Sequence, residues 1–353
     1  MSYSLNILAS ITLLSLPIVS VAETVSLPAY DADITQTSVS GLSSGAFMAA
    51  QFQVANSSKI IGAGIIAGGP FYCAGSYSFN TFLENAMNTC MHPLTASVAP
   101  QPDVLIKKAQ EFASNNEVDA LDNLQKEKIY IFSGQADRTV IPLVVDTTYQ
   151  FYKQLNVPEE NIKYVTTVNA GHAIITNNDN DVTCSLTAPP YINDCNFMQS
   201  HDILRHIYGN DLNPPAKPYH LSGDFVSFNQ FEFIDSNRSS MSQTGFAYIP
   251  NSCNTEHCRV HVVFHGCEQG AKKIGNDYYS GTGYNELADT NNIIVLYPQV
   301  EPSNIPYNPK GCWDFWGYTS TNAQNPNFYS HTAPQISAVM KMVERLASSR
   351  AQH

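Results

Sequence analysis

"VSGLSSGAFMAAQFQ", residues 39–53, sets two adjacent serines between glycines at the mouth of an apolar run. A helix start needs only one capping hydroxyl, and a flexible loop needs no such spacing. Gly41, Ser43 and Gly45 spell G-x-S-x-G. The stretch lies between a predicted strand at 34–40 and a predicted helix at 45–55. That is the context of a nucleophile elbow, a tight strand–turn–helix corner that lifts its central serine clear. The turn strains the backbone and demands small neighbours, and the amide after the serine can then face a developing oxyanion. Such short patterns also arise by chance, so an elbow needs partners elsewhere in the chain.

A serine nucleophile requires a base, and an acid that orients the base. In elbows of this kind the acid and then the histidine follow in chain order, each beyond the C-terminal end of a strand. "KIYIF" at 128–132 runs into "SGQADRTV" and delivers Asp137. "NIKYVTTV" at 161–168 runs into "NAGHAII" and delivers His172. Taken singly, Asp137 could be a helix-entry residue and His172 a loop imidazole. Their joint placement predicts the triad Ser43–Asp137–His172.

The first half alternates strands at 34–40, 60–67, 128–132 and 162–168 with helices at 45–55, 101–124, 141–155 and 201–208. This rhythm predicts an α/β fold, a mostly parallel sheet with helices on both faces. A proline-rich joint, "GNDLNPPAKPYHLSGD", follows from residue 209. Beyond it stand adjacent strands, "FVSFNQFEFI", "TGFAYIP" and "CRVHVVFHGC". A helix near 281–290, the strand "NIIVLYPQV" and a helix at 334–347 complete the chain.

The second oxyanion donor normally sits in an HG-type turn after a strand upstream of the elbow. Upstream of Ser43 there is no room for one. "RVHVVFHGCEQG" at 259–270 has that form, a hydrophobic strand ending in His265-Gly266-Cys267. If the joint at 209–222 connects an ordinary C-terminus to an ordinary N-terminus, the difficulty disappears. The expectation is a circularly permuted α/β-hydrolase whose oxyanion hole is formed by the amides of Ser44 and Cys267. An ordinary strand end is the alternative for 259–270.

From Leu5 to Ala22 the chain carries no charged side chain, and Ser20-Val21-Ala22 fits a small-residue cleavage site. Residues 1–22 are therefore expected to be a signal peptide, although no Lys or Arg precedes the apolar run. A transmembrane anchor is the alternative, at the short end for a span. Cleavage leaves 353 minus 22 residues, 331, expected as one catalytic domain over 23–353. The chain would be secreted to the extracellular space, with the periplasm as the alternative in a Gram-negative host.

All eight cysteines lie in the mature part, and an even count in an exported chain favours disulfides. Neighbour pairing gives Cys73–Cys90, Cys184–Cys195, Cys253–Cys258 and Cys267–Cys312. A zinc site from Cys253, Cys258 and His257 or His261 is the alternative, but paired C-x-x-C spacing is missing. Neither metal nor cofactor is expected, since the triad needs none. With 18 Lys plus Arg against 30 Asp plus Glu, the net charge is −12. That balance excludes an electrostatic claim on nucleic acid or an anionic membrane and favours a neutral partner.

Together, "SVSGLSSGAFMAAQ", "SGQADRTV", "NAGHA", "VVFHGCEQG" and "GCWDFWGY" resemble the secreted, single-domain, circularly permuted polyhydroxybutyrate depolymerases. The resemblance runs in the same order through nearly the whole mature chain. It implies Ser43 as nucleophile, Asp137 as acid, His172 as base and Cys267 as oxyanion donor. It also implies an aromatic beside the crevice, Trp313 or Trp316, packed against the acyl unit. Ala46-Phe47 departs from what relatives often carry. The expected partner is a neutral polyester or oligoester, and the expected state a monomer without stable membrane insertion. Two rivals stand: an esterase of short soluble esters or acylated sugars, and an inactive hydrolase fold serving as a binding module.

Overall fold

Alternate residues of "KIYIF" bury opposite ways: Ile129 and Ile131 join one hydrophobic cluster, Tyr130 and Phe132 the other. Strands covered on both faces are what a parallel sheet between helices requires. The computed structural model describes residues 25–350. The expected signal peptide, residues 1–22, lies outside them.

Before the proline-rich joint come β1 (Thr37–Leu42), β2 (Ile60–Ile66), β3 (Lys128–Phe132) and β4 (Ile162–Val165). They are followed by the short β5 (Ile174–Thr176), β6 (Val182–Thr183) and β7 (Ile192–Asp194). After the joint come β8 (Asp224–Asn229), β9 (Thr244–Ile249), β10 (Arg259–Phe264) and β11 (Ile293–Tyr297). The main sheet has eight strands in the order β4-β3-β2-β1-β10-β11-β9-β8. It is parallel from β4 to β11, and antiparallel where β9 and β8 are added. One sheet thus takes strands from both sides of the joint. β5, β7 and β6 form a separate small sheet.

The helices are α1 (Ser44–Ala55), α2 (Phe82–Glu84), α3 (Pro102–Ser114), α4 (Pro142–Gln154) and α5 (Gln199–Tyr208). After the joint come α6 (Ala271–Ile274), α7 (Asp277–Gly281), α8 (Tyr284–Asp289) and α9 (Pro334–Ala347). Side chains of α1, α3, α4 and α9 join the cluster on one face, and those of α5 and α8 join the cluster on the other. Every residue of α1 is buried. A helix buried around its whole circumference has to be enclosed, here by the sheet and by α9. Among the described residues no helix is long and apolar enough to cross a membrane.

Several boundaries differ from the sequence reading, each for a local reason. The helix expected over 101–124 stops at Ser114, because Asn116 turns into the left-handed region at φ 59°. The strand expected from residue 34 begins at Thr37, since Asp33 accepts the Thr35 amide and holds a turn there. The run 225–234 leaves the sheet after Asn229, whose side chain caps a 3₁₀ turn at Gln230–Phe233. Near 281–290 the helix divides at Gly283, with φ 80°.

The disulfides are Cys73–Cys90, Cys184–Cys195, Cys253–Cys258 and Cys267–Cys312. With Cys253 and Cys258 bonded to each other, the alternative of a zinc site there has no thiolates to use.

Candidate active site

The register of the sheet decides where its loops meet. Gly41 pairs with Phe264 and Ile65, Leu42 with Ile66, Ile66 with Phe132, and Phe132 with Val165. The C-terminal ends of β10, β1, β2, β3 and β4 therefore finish nearly level. In open α/β sheets that edge is where ligands bind. Cys267, Ser43, Asp137 and His172 all emerge from it.

Ser43 sits at φ 58°, ψ −124°, a left-handed backbone costly for a residue with a Cβ. Its amide donates to Ile66 O at 3.0 Å, which pins the corner to the end of β2. A Cβ on Gly41 would lie 2.3 Å from Gly45 O, and one on Gly45 would lie 2.3 Å from Phe264 O. Only glycine lets the helix start this close to β1 and β10. The pattern G-x-S-x-G is thus enforced by backbone packing on both sides of the serine.

Asp137 is buried, and its two oxygens are divided between tasks. Oδ1 accepts the amides of Thr139 at 2.8 Å and Val140 at 3.1 Å, while Oδ2 meets His172 Nδ1 at 2.7 Å. Two backbone donors hold the carboxylate still, and the carboxylate fixes the histidine tautomer with its proton on Nδ1. The His172 loop is fastened in turn: its amide donates to Thr187 Oγ1 and the Gly171 amide to Cys184 O. The Cys184–Cys195 bond closes the segment 184–195 that supplies both of these acceptors.

Ser43 and His172 line one cavity of about 200 Å³, together with Leu42, Met91, Tyr191 and Cys267. The amides of Ser44, the first residue of α1, and of Cys267 have no protein acceptor among the described residues. Gly266 cannot serve as donor, because its amide goes to Gln269 Oε1 at 2.7 Å. Gln269 Nε2 donates to Pro190 O and Tyr191 O, so one amide ties the turn after β10 to the segment beyond the His172 loop. His265 is wholly buried and its Nδ1 lies 2.7 Å from Gly266 O, while Nε2 accepts the Val300 amide. Burial pushes its pKa down to about 4, which keeps it neutral. Sequence reading missed Gln269 and His265 as supports of the turn; their only signal was position beside Cys267.

Neither tryptophan is among the residues that line this cavity. Trp313 is a core residue with 0% exposure, its ring against Phe264 and His265. Its amide donates to Ser44 Oγ at 3.2 Å, so it supports the elbow from behind. Trp316 is half-buried on Phe315 and Tyr318 and does not line the cavity. Asp314 accepts the amides of Trp316, Gly317, Tyr318 and Thr319 and folds residues 314–319 into a closed turn. Exposed apolar side chains include Leu94, 88% exposed and three residues after Met91 in the chain, and Ile305, 79% exposed and five residues before Lys310.

No family model matches the chain. It is 42% identical over 335 residues to a poly(3-hydroxybutyrate) depolymerase of Delftia acidovorans, covering 93% of this chain and 63% of that protein. It is 36% identical over 338 residues to a polyhydroxybutyrate depolymerase of Talaromyces funiculosus, covering 91% of this chain and 92% of that protein. The crystal structure of the PHB depolymerase from Penicillium funiculosum matches with a TM-score of 0.79 at 34% identity, over 91% of this chain and 98% of that one. A PHB depolymerase with a serine-to-alanine substitution, complexed with an R3HB trimer, matches with a TM-score of 0.79 at 33% identity and the same coverage. With this sheet, this edge and these relatives, the chain belongs to the polyhydroxybutyrate depolymerase family.

Proposed function

We propose that this protein is a secreted serine esterase that hydrolyses poly(3-hydroxybutyrate) or its oligomers. The observation that carries the reading is the buried Asp137 bonded at 2.7 Å to His172, which lines one cavity with a strained Ser43. His172 Nε2 takes the proton as Ser43 Oγ attacks the ester carbonyl. The oxyanion is held between the amides of Ser44 and Cys267, and Asp137 steadies the imidazolium. Collapse breaks the acyl C–O bond, and His172 gives its proton to the departing alkoxide, which leaves as a hydroxyl-ended fragment. Water then attacks the acyl-enzyme with His172 as base. Ser43 is restored and a carboxylic acid departs.

The polyester assignment draws on the relatives and on the R3HB trimer held by one of the solved structures. Exposed Leu94 and Ile305, close in sequence to the cavity residues Met91 and Lys310, suit a neutral apolar polymer. The chain order of the strands supports reading the fold as a permuted α/β-hydrolase, with β8 and β9 as the displaced beginning, joined through 209–222 to α5. One sheet drawing on both sides of that joint favours a single catalytic domain. Disulfides and an apolar segment at 1–22 favour export, and we read the protein as a monomer.

The test compares the purified protein with Ser43→Ala on a polyhydroxybutyrate film and on a soluble nitrophenyl ester, with released 3-hydroxybutyrate units as readout. Clearing of the film by the native protein alone is the expected result. Cleavage of the soluble ester alone would leave the triad standing and transfer the substrate to short esters. Inertness toward both would favour a binding module.

A further inference from the structure

We propose that a lysine-lined recess beside the catalytic cavity binds the terminal carboxylate of ester oligomers and so sets a preference for acid-ended fragments. The inference rests on the esterase reading above and names a substrate feature that this reading leaves open. The recess has a volume of about 40 Å³ and shares Glu268 and Lys310 with the catalytic cavity. Lys272 and Lys273 also line it. Lys310 lies 3.7 Å from Glu268, and Lys272 lies 3.3 Å from Glu301. Lys273 has no ion-pair partner among the described residues. Three ammonium groups thus meet two carboxylates, a local positive excess on a chain whose net charge is −12.

The excess has a chemical purpose in ester hydrolysis. Each cleavage leaves one fragment that ends in a carboxylic acid, ionised at neutral pH. A strongly acidic protein repels such fragments as they shorten and as the charged end nears the scissile bond. The lysines of the recess, of which Lys310 also lines the cavity, would offset that repulsion. Lys310, bordering both spaces, would turn from Glu268 to the incoming carboxylate, and Lys273 would hold it.

Two trimers of 3-hydroxybutyrate separate the effect, one with a free carboxylate and one capped as its methyl ester. The ratio of kcat/KM for acid over ester is measured for the native protein, Lys273→Gln, Lys310→Gln and the double variant, with melting curves as a check on folding. The expected result is a ratio that falls about two- to fivefold in the double variant, the size exposed ion pairs confer. The loss should be carried by KM for the acid, and high salt should shrink the ratio in the native protein. An unchanged ratio with both trimers still cleaved would overturn the carboxylate site alone. Cleavage of neither trimer by the native protein would overturn the esterase reading and this inference with it.

Discussion

Gly41 and Phe264 lie opposite each other in the parallel pairing of β1 with β10, and the start of α1 is pressed against both strand ends. The serine turn and the turn of Cys267 are therefore set relative to each other by backbone contact, without any side chain between them. A Cβ on Gly45 would approach Phe264 O to 2.3 Å and His265 O to 2.5 Å. Gly45→Ala should force the elbow away from the turn after β10. A displacement of about 1 Å at a reacting centre can cost on the order of 10²-fold in rate. Esterase assays on a soluble substrate should show at least that loss in kcat in the folded variant. An alanine protein with native kcat would show that the two turns are set independently.

Asp137→Asn tests the division of labour between the carboxylate oxygens. The Asn carbonyl would keep the Thr139 and Val140 amides, turning its NH₂ toward His172 Nδ1. The imidazole would then carry its proton on Nε2 and could not accept one from Ser43. The loss in kcat should be about 10⁴-fold with the fold retained, against about 10⁶-fold for Ser43→Ala. Parallel kinetics and melting curves on the two variants check the ordering. Equal losses would mean that Asp137 does more than orient the ring.

The placement of Ser43, Asp137 and His172 at one sheet edge was legible because each follows a strand whose pattern is plain, and because flanking glycines mark a tight turn. The disulfides were legible because sequence neighbours close them. The tryptophans were not. Aromatic residues near a site motif do not reveal whether they face the cavity or the core, and the Asp314 turn that carries Trp316 is built on backbone amides. The small sheet of β5, β7 and β6 escaped for another reason: strands of two or three residues carry no readable period. Gln269 looked like any polar loop residue. Its role appears only when Pro190 and Tyr191, distant in the chain, come within reach.

Three neutral histidines should make the fold acid-sensitive. Burial lowers His261 to about 3, and His201 and His265 to about 4. His261 lies between Ser38 and Ser40 of β1, at 2.6 and 2.8 Å from their hydroxyls. Unfolded histidine titrates near ~6.5, so below that pH the unfolded chain takes up protons that the folded one refuses. Stability is then unaffected above ~6.5 and falls as the pH drops from ~6.5 toward the folded values, by up to about 1.4 kcal/mol per pH unit for each group. Urea unfolding between neutral pH and pH ~4.5 should show this slope. In His261→Gln the slope should be smaller by about one proton, with lower stability at neutral pH. A slope equal to that of the native protein would mean that His261 is charged in the fold.

Cys267–Cys312 joins the turn that carries one candidate oxyanion amide to the segment that packs behind the elbow, where the Trp313 amide meets Ser44 Oγ. Cys267→Ser with Cys312→Ser leaves the backbone amide of residue 267 in the chain but loosens the turn. Loss of a native disulfide costs about 2–5 kcal/mol of stability. Were the bond merely a staple, activity at temperatures well below melting would be intact. Because the amide must hold its place against a developing charge, kcat should fall further than KM rises, by up to about 10²-fold, the scale of losing one oxyanion donor. Removal of Cys253–Cys258, which lies far from this edge in the chain order of β10, supplies the control: its variant should lose stability and keep kcat. Equal effects of the two removals on kcat would place the oxyanion donor elsewhere than residue 267.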